Sequence, residues 1–582
     1  IMENNISGRG LIMRLKDADC KNCYKCVRFC PVKAISLTED QATIEEDRCI
    51  YCGKCYMVCP QDARDLIGDL DRVKWMIKRG EKVYVSISSA FSTYFNTTSL
   101  KAMGAVLKKL GVQRVEETAI GANRVIEEYT KIIKSGEHKN LISTTCPSTN
   151  FMIQKYFPSL VQWMCPMDTP LEAHAKMMRA AYGDDIRVVG IGPCIAYHRL
   201  SDVVQEGNLI DAYITYEELE QWMKEEGVTI AEEDPETYPV SNYRGRYLAE
   251  DGGLFRALPN DVKYDYKLWE VNGASRTKEM FAGMSAEDTD NYCIVVSACA
   301  NSCLGGPIVR LAHKDTFESK DRWLTSIKEG VEHAGVNPSE QAAVDVRKEF
   351  VKRPLKRTVP TPEDIEYFLS LIGRGKKEDR LDCGGCGYNT CRAKAVAVFE
   401  GMADPFMCIP QSRDKAEAKS NLLFDNSPSC VVVLDKSFKI IEANPVAKGI
   451  LGLDDGDGSE HYMTEFLDKE LLEKSSMKEV KATHDRVYSD VLKKLLDLTY
   501  FKITGHDIAM LVMDDRTEMA EQIEEERKMR KETLDVTQKV VEKQMIIAQE
   551  IASLLGETTA ETKLALNKLK NSLAMDDKDG WH

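Results

Sequence analysis

Residues 292–306 read YCIVVSACANSCLGG, an apolar run that ends in two cysteines, Cys299 and Cys303, and a glycine pair, Gly305 and Gly306. Short runs this apolar suit buried parallel strands. Two runs upstream end the same way. The weak one at Leu141 to Ser143 enters STTCPST with Cys146, and Ile186 to Ile191 enters GIGPCIA with Cys194. A further run, Val83 to Ile87, and helical stretches at Leu100 to Leu110 and Tyr216 to Glu226 make residues 80–310 alternate strand and helix. That alternation predicts α/β architecture. Ligands of open α/β sheets lie just beyond the carboxyl ends of the strands, so four cysteines on three loops are placed to converge on one buried cofactor. The competing reading is four small core side chains, because free cysteine is often buried. The glycine pair, which permits close backbone approach, favours the cofactor.

Farther out lie CKNCYKCVRFCP at 20–31 and CIYCGKCYMVCP at 49–60. Both follow C-x2-C-x2-C-x3-C-P, the bacterial ferredoxin run in which the fourth cysteine of each run ligates the other cluster. The spacing therefore predicts two 4Fe-4S clusters, one held by Cys20, Cys23, Cys26 and Cys59, the other by Cys49, Cys52, Cys55 and Cys30. Thiolates this close in sequence wrap a soft metal centre at little entropic cost. A zinc site needs only one such quartet, and disulfides do not need the proline. A later quartet, Cys383, Cys386, Cys391 and Cys408, follows a Lys/Arg-rich, Pro-containing stretch near 352–380. Its spacing, C-x2-C-x4-C-x16-C, resembles small 4Fe-4S domains of corrinoid proteins and sensory hydrogenases. A four-thiolate zinc site is the alternative; the glycines around Cys383 and Cys386 offer N–H groups to cluster sulfurs and favour iron.

Composition sets the outer limits. The 582 residues predict about four domains at roughly 150 residues each. A net charge of −15 leaves no basic footprint for DNA or RNA. The chain shows no apolar h-region and no long apolar run, so no membrane span is expected and a cytoplasmic protein is. Sixteen of nineteen cysteines fall into cluster spacings, which argues for a reducing, anaerobic cytoplasm rather than a disulfide scaffold.

With KVYVSISSAF (82–91), LKKLGVQRVEETAIGANRVIEE (107–128), the three cysteine loops and the preceding ferredoxin pair, the chain resembles the FeFe hydrogenases from residue 1 to about 310. The resemblance implies an H-cluster, a 4Fe-4S cubane joined to a di-iron subcluster carrying CO, cyanide and azadithiolate. Its ligands here would be Cys146, Cys194, Cys299 and Cys303, with Cys303 bridging. Counting the two ferredoxin-like clusters and the later quartet, four 4Fe-4S clusters are implied. The departures point to a sensory branch. Thr145 stands where catalytic members carry a relay cysteine, and a hydroxyl is far less acidic than a thiol with a pKa near 8.5. The outward-path glutamate aligns with Tyr129, beside Glu127 and Glu128. Gly192, next to Pro193, and Ser297 replace methionines that flank the di-iron site; the cyanide-supporting lysine is missing around CPMDTP, where Asp168 is nearest. Cys293 reads as core, and Cys165 as core or as a substitute relay.

The segment 420–515 looks unlike an oxidoreductase. NLLFDNSPSCVVVLDKSFKIIEANPVAKGILG reads as a short helix, two strands around Asp435 and Lys436, and a helix from Asn444; strands TYFKIT and IAMLVMDD close it. This resembles a PAS domain. Cys430 reads as core, and His461, His484 and His506 as ordinary polar histidines rather than haem ligands. Met519 to Leu555 is nearly all helix formers, with Val536, Val540, Ile547, Ile551 and Leu554 on one stripe. Gly556 would end that helix, and Thr558 with Glu561 would box the start of a second through Leu573. Such a helix predicts a parallel homodimer or a partner-docking stripe.

The expected division is a 2x(4Fe-4S) ferredoxin-like domain at 1–75, an H-cluster domain at 80–375, a small 4Fe-4S domain at 376–414, a PAS domain at 418–516 and a helical segment at 517–582. The fold class is thus multidomain α/β and α+β. The expected function is a hydrogen-sensing FeFe hydrogenase that activates H2 slowly and passes redox state to a signalling partner, a kinase or phosphatase. Protons, a redox partner such as ferredoxin and maturation proteins complete the expected partners. The alternatives are a catalytic ferredoxin-linked hydrogenase with a regulatory tail, and a non-enzymatic redox or CO sensor.

Overall fold

A computed structural model describes residues 13–16, 19–38, 41–202, 209–260, 265–284, 289–312, 316–329, 336–453, 460–477, 482–502, 507–555 and 559–575. The chain divides into two compact units, 1–412 and 413–582. His506, Gly556 and Thr558 lie outside the described residues.

In the first unit, each ferredoxin run folds as a loop leading into a one-turn helix, Lys25–Phe29 or Lys54–Val58. Both helices start from a left-handed residue, Tyr24 at φ 55° and Gly53 at φ 70°. The fourth cysteine of each run accepts a backbone N–H at 3.3 Å, Cys30 from Ala34 and Cys59 from Ala63, so the two runs are local copies. Antiparallel pairs, Met13–Leu15 with Arg64–Leu66 and Ile35–Thr38 with Gln41–Ile44, frame them.

The α/β region holds two parallel sheets. One runs Arg114–Glu117, Lys82–Ile87, Ile186–Gly192, Ala212–Thr215; the other runs Lys267–Asn272, Tyr292–Ser297, Leu141–Ile142. Val83, Val85, Ile87, Val188 and Val189 are buried, as strands covered on both faces require. Helices enter through side-chain caps: Thr169 boxes with Glu172 ahead of Pro170–Tyr182, and Thr215 with Glu218 ahead of Tyr216–Glu225. Leu100–Lys109 is helical as the periodicity predicts. Of the third quartet, Cys391 opens the helix Cys391–Phe399, which packs beside Pro362–Leu371, and the other three lie on the flanking loops.

The second unit contains one antiparallel sheet in the order Ile440–Ala443, Cys430–Asp435, Ile508–Asp515, Lys494–Lys502, Ala482–Ser489. This is the PAS-like, α+β part of the predicted fold class. Asn444 secures it: its side-chain oxygen accepts from Val431 N and Ala447 N, both at 2.9 Å, joining the first strand to the helix Pro445–Leu451. Cys430 is core. His461 pairs with Glu465 and His484 bonds Thr499. The strand Ala482–Ser489 carried no clear signal in the sequence reading. After the sheet come the helices Thr517–Leu555 and Thr559–Met575. Val536, Val540, Ile547 and Ile551 are all exposed. Among the described residues no helix is long and apolar enough to cross a membrane.

Candidate metal centre

The three cysteine loops close on one cavity of about 110 Å³. Its wall includes Thr145 and Cys146 from the first loop, Pro193 and Cys194 from the second, and Ser297, Cys299, Ser302 and Cys303 from the third. Cys194 follows a strand of the four-stranded sheet and the others follow strands of the three-stranded sheet, so both sheets contribute their carboxyl ends.

Local structure presents each thiol. Cys146 is the N-cap of Pro147–Tyr156, with Pro147 at the first helical position, where its missing N–H costs nothing. The N–H of Cys194 donates to the Tyr213 hydroxyl at 3.2 Å. A Cβ at Gly192 would lie 2.7 Å from that hydroxyl oxygen, so glycine is what admits Tyr213. Ser302 adopts φ 44°, turning the chain just before Cys303, and Gly305 N–H closes the turn onto Asn301 O at 3.0 Å. Gly192 and Gly305 therefore stand behind the wall rather than on it, while Gly306 lines it.

Burial pushes the Cys303 thiol up to about 12, and raises Cys194 and Cys299 further, with neighbouring thiols adding to the effect. An ionised thiol here lacks compensating charge. Bound iron would supply it, and loading would release protons.

Cys30, Cys49, Cys52 and Cys55 line a neighbouring cavity, the pairing across runs that the ferredoxin spacing implies. Cys52 also lines the large cavity. In the other set, burial raises the Cys26 thiol against the nearby Arg64 guanidinium, 3.8 Å from its Sγ, and Cys20 adds to the rise. Cys23 faces Gln61 at 3.6 Å. Cys383, Cys386, Cys391 and Cys408 line a cavity of their own. Among the described residues no three His, Cys, Asp or Glu groups converge tightly enough for a single ion; the thiols of three of the four sets ring cavities instead. All-thiol donor sets around enclosed space fit iron–sulfur clusters.

Several expected residues fall elsewhere. Cys165 is fully buried beside Tyr129 and does not reach the cavity wall, so it does not stand in for the relay. Tyr129 is buried too. Its hydroxyl accepts from Thr144 N at 2.8 Å and lies 3.0 Å from Thr144 Oγ1, bracing the first loop. Glu128 is held by Arg124 at 3.2 Å and Lys131 at 2.6 Å. Asp168 lines a separate cavity, paired with Lys176 at 2.6 Å, and burial raises its carboxyl to about 6. In the wall stands Tyr197, three residues after Cys194.

Other groups escaped the sequence reading. Glu250 is the one carboxylate of the wall among the described residues; burial raises its pKa and Arg256 opposes the rise. Ser297 Oγ lies 2.7 Å from Asn272 Oδ1 and 3.3 Å from Ser302 Oγ. The Asn272 amide donates to the exposed Glu270. A single sequence offers no signal for these, since their role depends on loops meeting in space.

An α/β scaffold gathering four thiols, adjoined by a two-quartet module that shares a wall residue with it, is the arrangement of an iron–sulfur cluster protein. More narrowly, residues 81–307 match the family model of the iron only hydrogenase large subunit, C-terminal domain. Residues 19–63 match the 4Fe-4S dicluster domain, and 379–410 an Fe-S cluster family. These matches bear out the resemblance to the FeFe hydrogenases. Among solved structures, FeFe-hydrogenase HydA1 from Chlamydomonas reinhardtii is similar at 15% identity, covering 50% of this chain and 100% of that one, with TM-score 0.36. The PAS domain of an HTR-like protein from Haloarcula marismortui is similar at 21% identity over 18% of this chain and 96% of that one, with TM-score 0.16. A PAS domain of nitrogen regulation protein NR(II) from Vibrio parahaemolyticus gives 19% identity over 16% and 96%, with TM-score 0.15. No curated protein matches the chain.

Proposed function

We propose that this protein is a hydrogen-sensing FeFe hydrogenase of low turnover, whose redox state is passed through 4Fe-4S clusters to a PAS-linked signalling helix. The observation that carries this reading is the cavity itself: four loop thiols face it, and Thr145, which the resemblance sets at the relay position, stands in its wall. Cys146, Cys194, Cys299 and Cys303 would hold an H-cluster, which when bound supplies heterolytic cleavage of H2.

The chain's own residues set the pace. The Thr145 hydroxyl exchanges protons poorly near neutral pH, because general acid–base transfer is fastest when the pKa lies near the operating pH. Protons would instead leave by Glu250, the one carboxylate of the wall among the described residues, whose pKa burial raises. Cys52, common to two cavities, places the ferredoxin pair directly against the site for electrons. The exposed stripe Val536, Val540, Ile547 and Ile551 would pair with a second copy and present the signal to a kinase or phosphatase. Reduction must favour one arrangement of that helix over another for a signal to exist.

Anaerobic infrared spectroscopy of the matured protein, under argon and then H2, tests the reading. CO and cyanide bands that shift under H2, with slow turnover, are the expected result. Shifting bands with fast turnover would make the protein an ordinary ferredoxin-linked hydrogenase with a regulatory tail. Fixed bands would make it a gas or redox sensor, and absent bands would remove the hydrogenase reading.

A further inference from the structure

The third quartet does not sit where its place in the sequence suggests. It lies against the ferredoxin pair, and the seam is built from the loop between Cys386 and Cys391. Gly387 adopts φ 92° there, and a Cβ on it would lie 3.0 Å from the Val27 side chain. Only glycine lets this loop rest on the helix that runs from Cys26 towards Cys30.

One ammonium closes the seam. Lys33 Nζ donates to Val27 O at 3.0 Å and Arg28 O at 2.9 Å on the ferredoxin side, and to Gly387 O at 2.9 Å on the other. Arg28 reaches Gly385 O at 3.1 Å. The partly buried pair Arg48–Glu400 at 2.6 Å and the bond from Leu37 N to Met402 O at 3.3 Å fix the remainder. Tyr388, 4% exposed, fills the space beside Lys33. Cys30 belongs to the cavity that shares Cys52 with the large one. The order in space is therefore the large cavity, Cys52, Cys30, Lys33 with Gly387, then Cys386.

We propose that the third quartet exchanges electrons with the ferredoxin pair across this seam, not with the large cavity directly, and that Lys33 is the positioning cation that sets both potentials together. The inference rests on the reading that these quartets hold 4Fe-4S clusters, but not on hydrogen chemistry. The step is a one-electron exchange: the centre at Cys30, Cys49, Cys52 and Cys55 is oxidised as the centre at Cys383, Cys386, Cys391 and Cys408 is reduced. The reductant is H2 in the proposed function and europium(II) in the test. An electron added on either side of Lys33 gains from the same half-buried charge, because net charge and hydrogen bonding set cluster potentials.

The test is an electron paramagnetic resonance titration with europium(II) of the full chain carrying its 4Fe-4S clusters but no di-iron subcluster. In the fully reduced wild type, the ferredoxin signals are expected to carry broadening beyond what the pair and the cubane of the large cavity give one another, and Cys386→Ala should remove that additional part. Lys33→Met should lower both couples together, by about tenfold in each reduction constant, or ~59 mV for one electron. Lys33→Arg should stay within threefold of wild type. Ferredoxin signals that Cys386→Ala leaves unchanged overturn the seam, and a Lys33→Met shift confined to one couple overturns the shared cation. The wild-type and Cys386→Ala spectra decide the first point even where Lys33→Met loses iron. No H2 enters the experiment, so its failure is separable from failure of the sensing function.

Discussion

Glu117 and Arg246 make the structure's most direct statement about how the cavity is held open. Glu117 ends the strand Arg114–Glu117, and Thr118 and Ala119 after it line the cavity; Arg246 follows Gly245 and precedes Leu248, which line it too. The carboxylate receives Arg246 Nε and Nη2, both at 2.8 Å, with the two side chains 0% and 5% exposed. Glu117→Gln keeps the shape but leaves a guanidinium buried against a neutral amide. Breaking a buried pair from one side costs about 3–5 kcal/mol, which at 1.36 kcal/mol per decade is roughly 10²- to 10⁴-fold in a local opening equilibrium. Amide hydrogen exchange of the full-length protein, read on peptides covering 114–122 and 243–254, should show that loss of protection. The double change Glu117→Leu with Arg246→Met should recover most of it, because an apolar pair of similar volume carries no unpaired charge. Protection within threefold of wild type in Glu117→Gln would refute the argument, as would a double variant as labile as the single one.

Three further outcomes follow from the same geometry. Burial favours the neutral form of Glu116, but its bonds to His174, Ser339 and Tyr182 win and bring the carboxyl down to about 2, below its ordinary 4.5. A depressed carboxyl stabilises the fold above its unfolded pKa, so about 3 kcal/mol should be lost as pH falls from about 4.5 to 2; Glu116→Gln should flatten that part of the acid-denaturation curve. Thr145→Cys should raise H2-dependent dye reduction by at least about 10²-fold, the usual worth of a placed proton relay, and an unchanged rate would mean that protons already leave through Glu250. Ile547→Glu, on the exposed stripe, should convert a dimer to a monomer in light scattering; a wild-type chain that is monomeric at the outset would rule out self-pairing of the long helix.

Legibility in the sequence followed the range of the interaction. The ferredoxin quartets are local, with every ligand set by a short spacing, and the placement of Cys30 with Cys49, Cys52 and Cys55 agrees with that spacing. The strands ending at Cys146, Cys194, Cys299 and Cys303 were visible because buried parallel strands leave unbroken apolar runs. What stayed hidden is what two distant segments decide between them. Nothing in the runs said that the strands belong to two sheets rather than one. Tyr129 aligned with a proton-path glutamate, yet it braces Thr144, because its hydroxyl meets a backbone N–H contributed by another element. Cys165 read as a possible relay, but the short distance in sequence from Cys146 hid a side chain that points into the core. The seam at Lys33 joins positions over 350 apart in the chain, and its signal is one glycine among many.

Separation of charge routes follows from these placements and gives the low-turnover reading its physical sense. In the proposed function electrons would have a short way out, since Cys52 stands in the walls of both the large cavity and the ferredoxin one. Protons would have the harder way in the proposed function, because the Thr145 hydroxyl is a poor relay and Glu250 is the one carboxylate of the wall among the described residues. In a catalytic enzyme the slower route would limit flux and be a defect. A sensor gains from it, because a reduced state that drains slowly stays populated long enough to bias a distant equilibrium. The Thr145→Cys experiment therefore bears on signalling as well as on rate: a faster relay should shorten the life of the reduced state and weaken the response at a given H2 pressure.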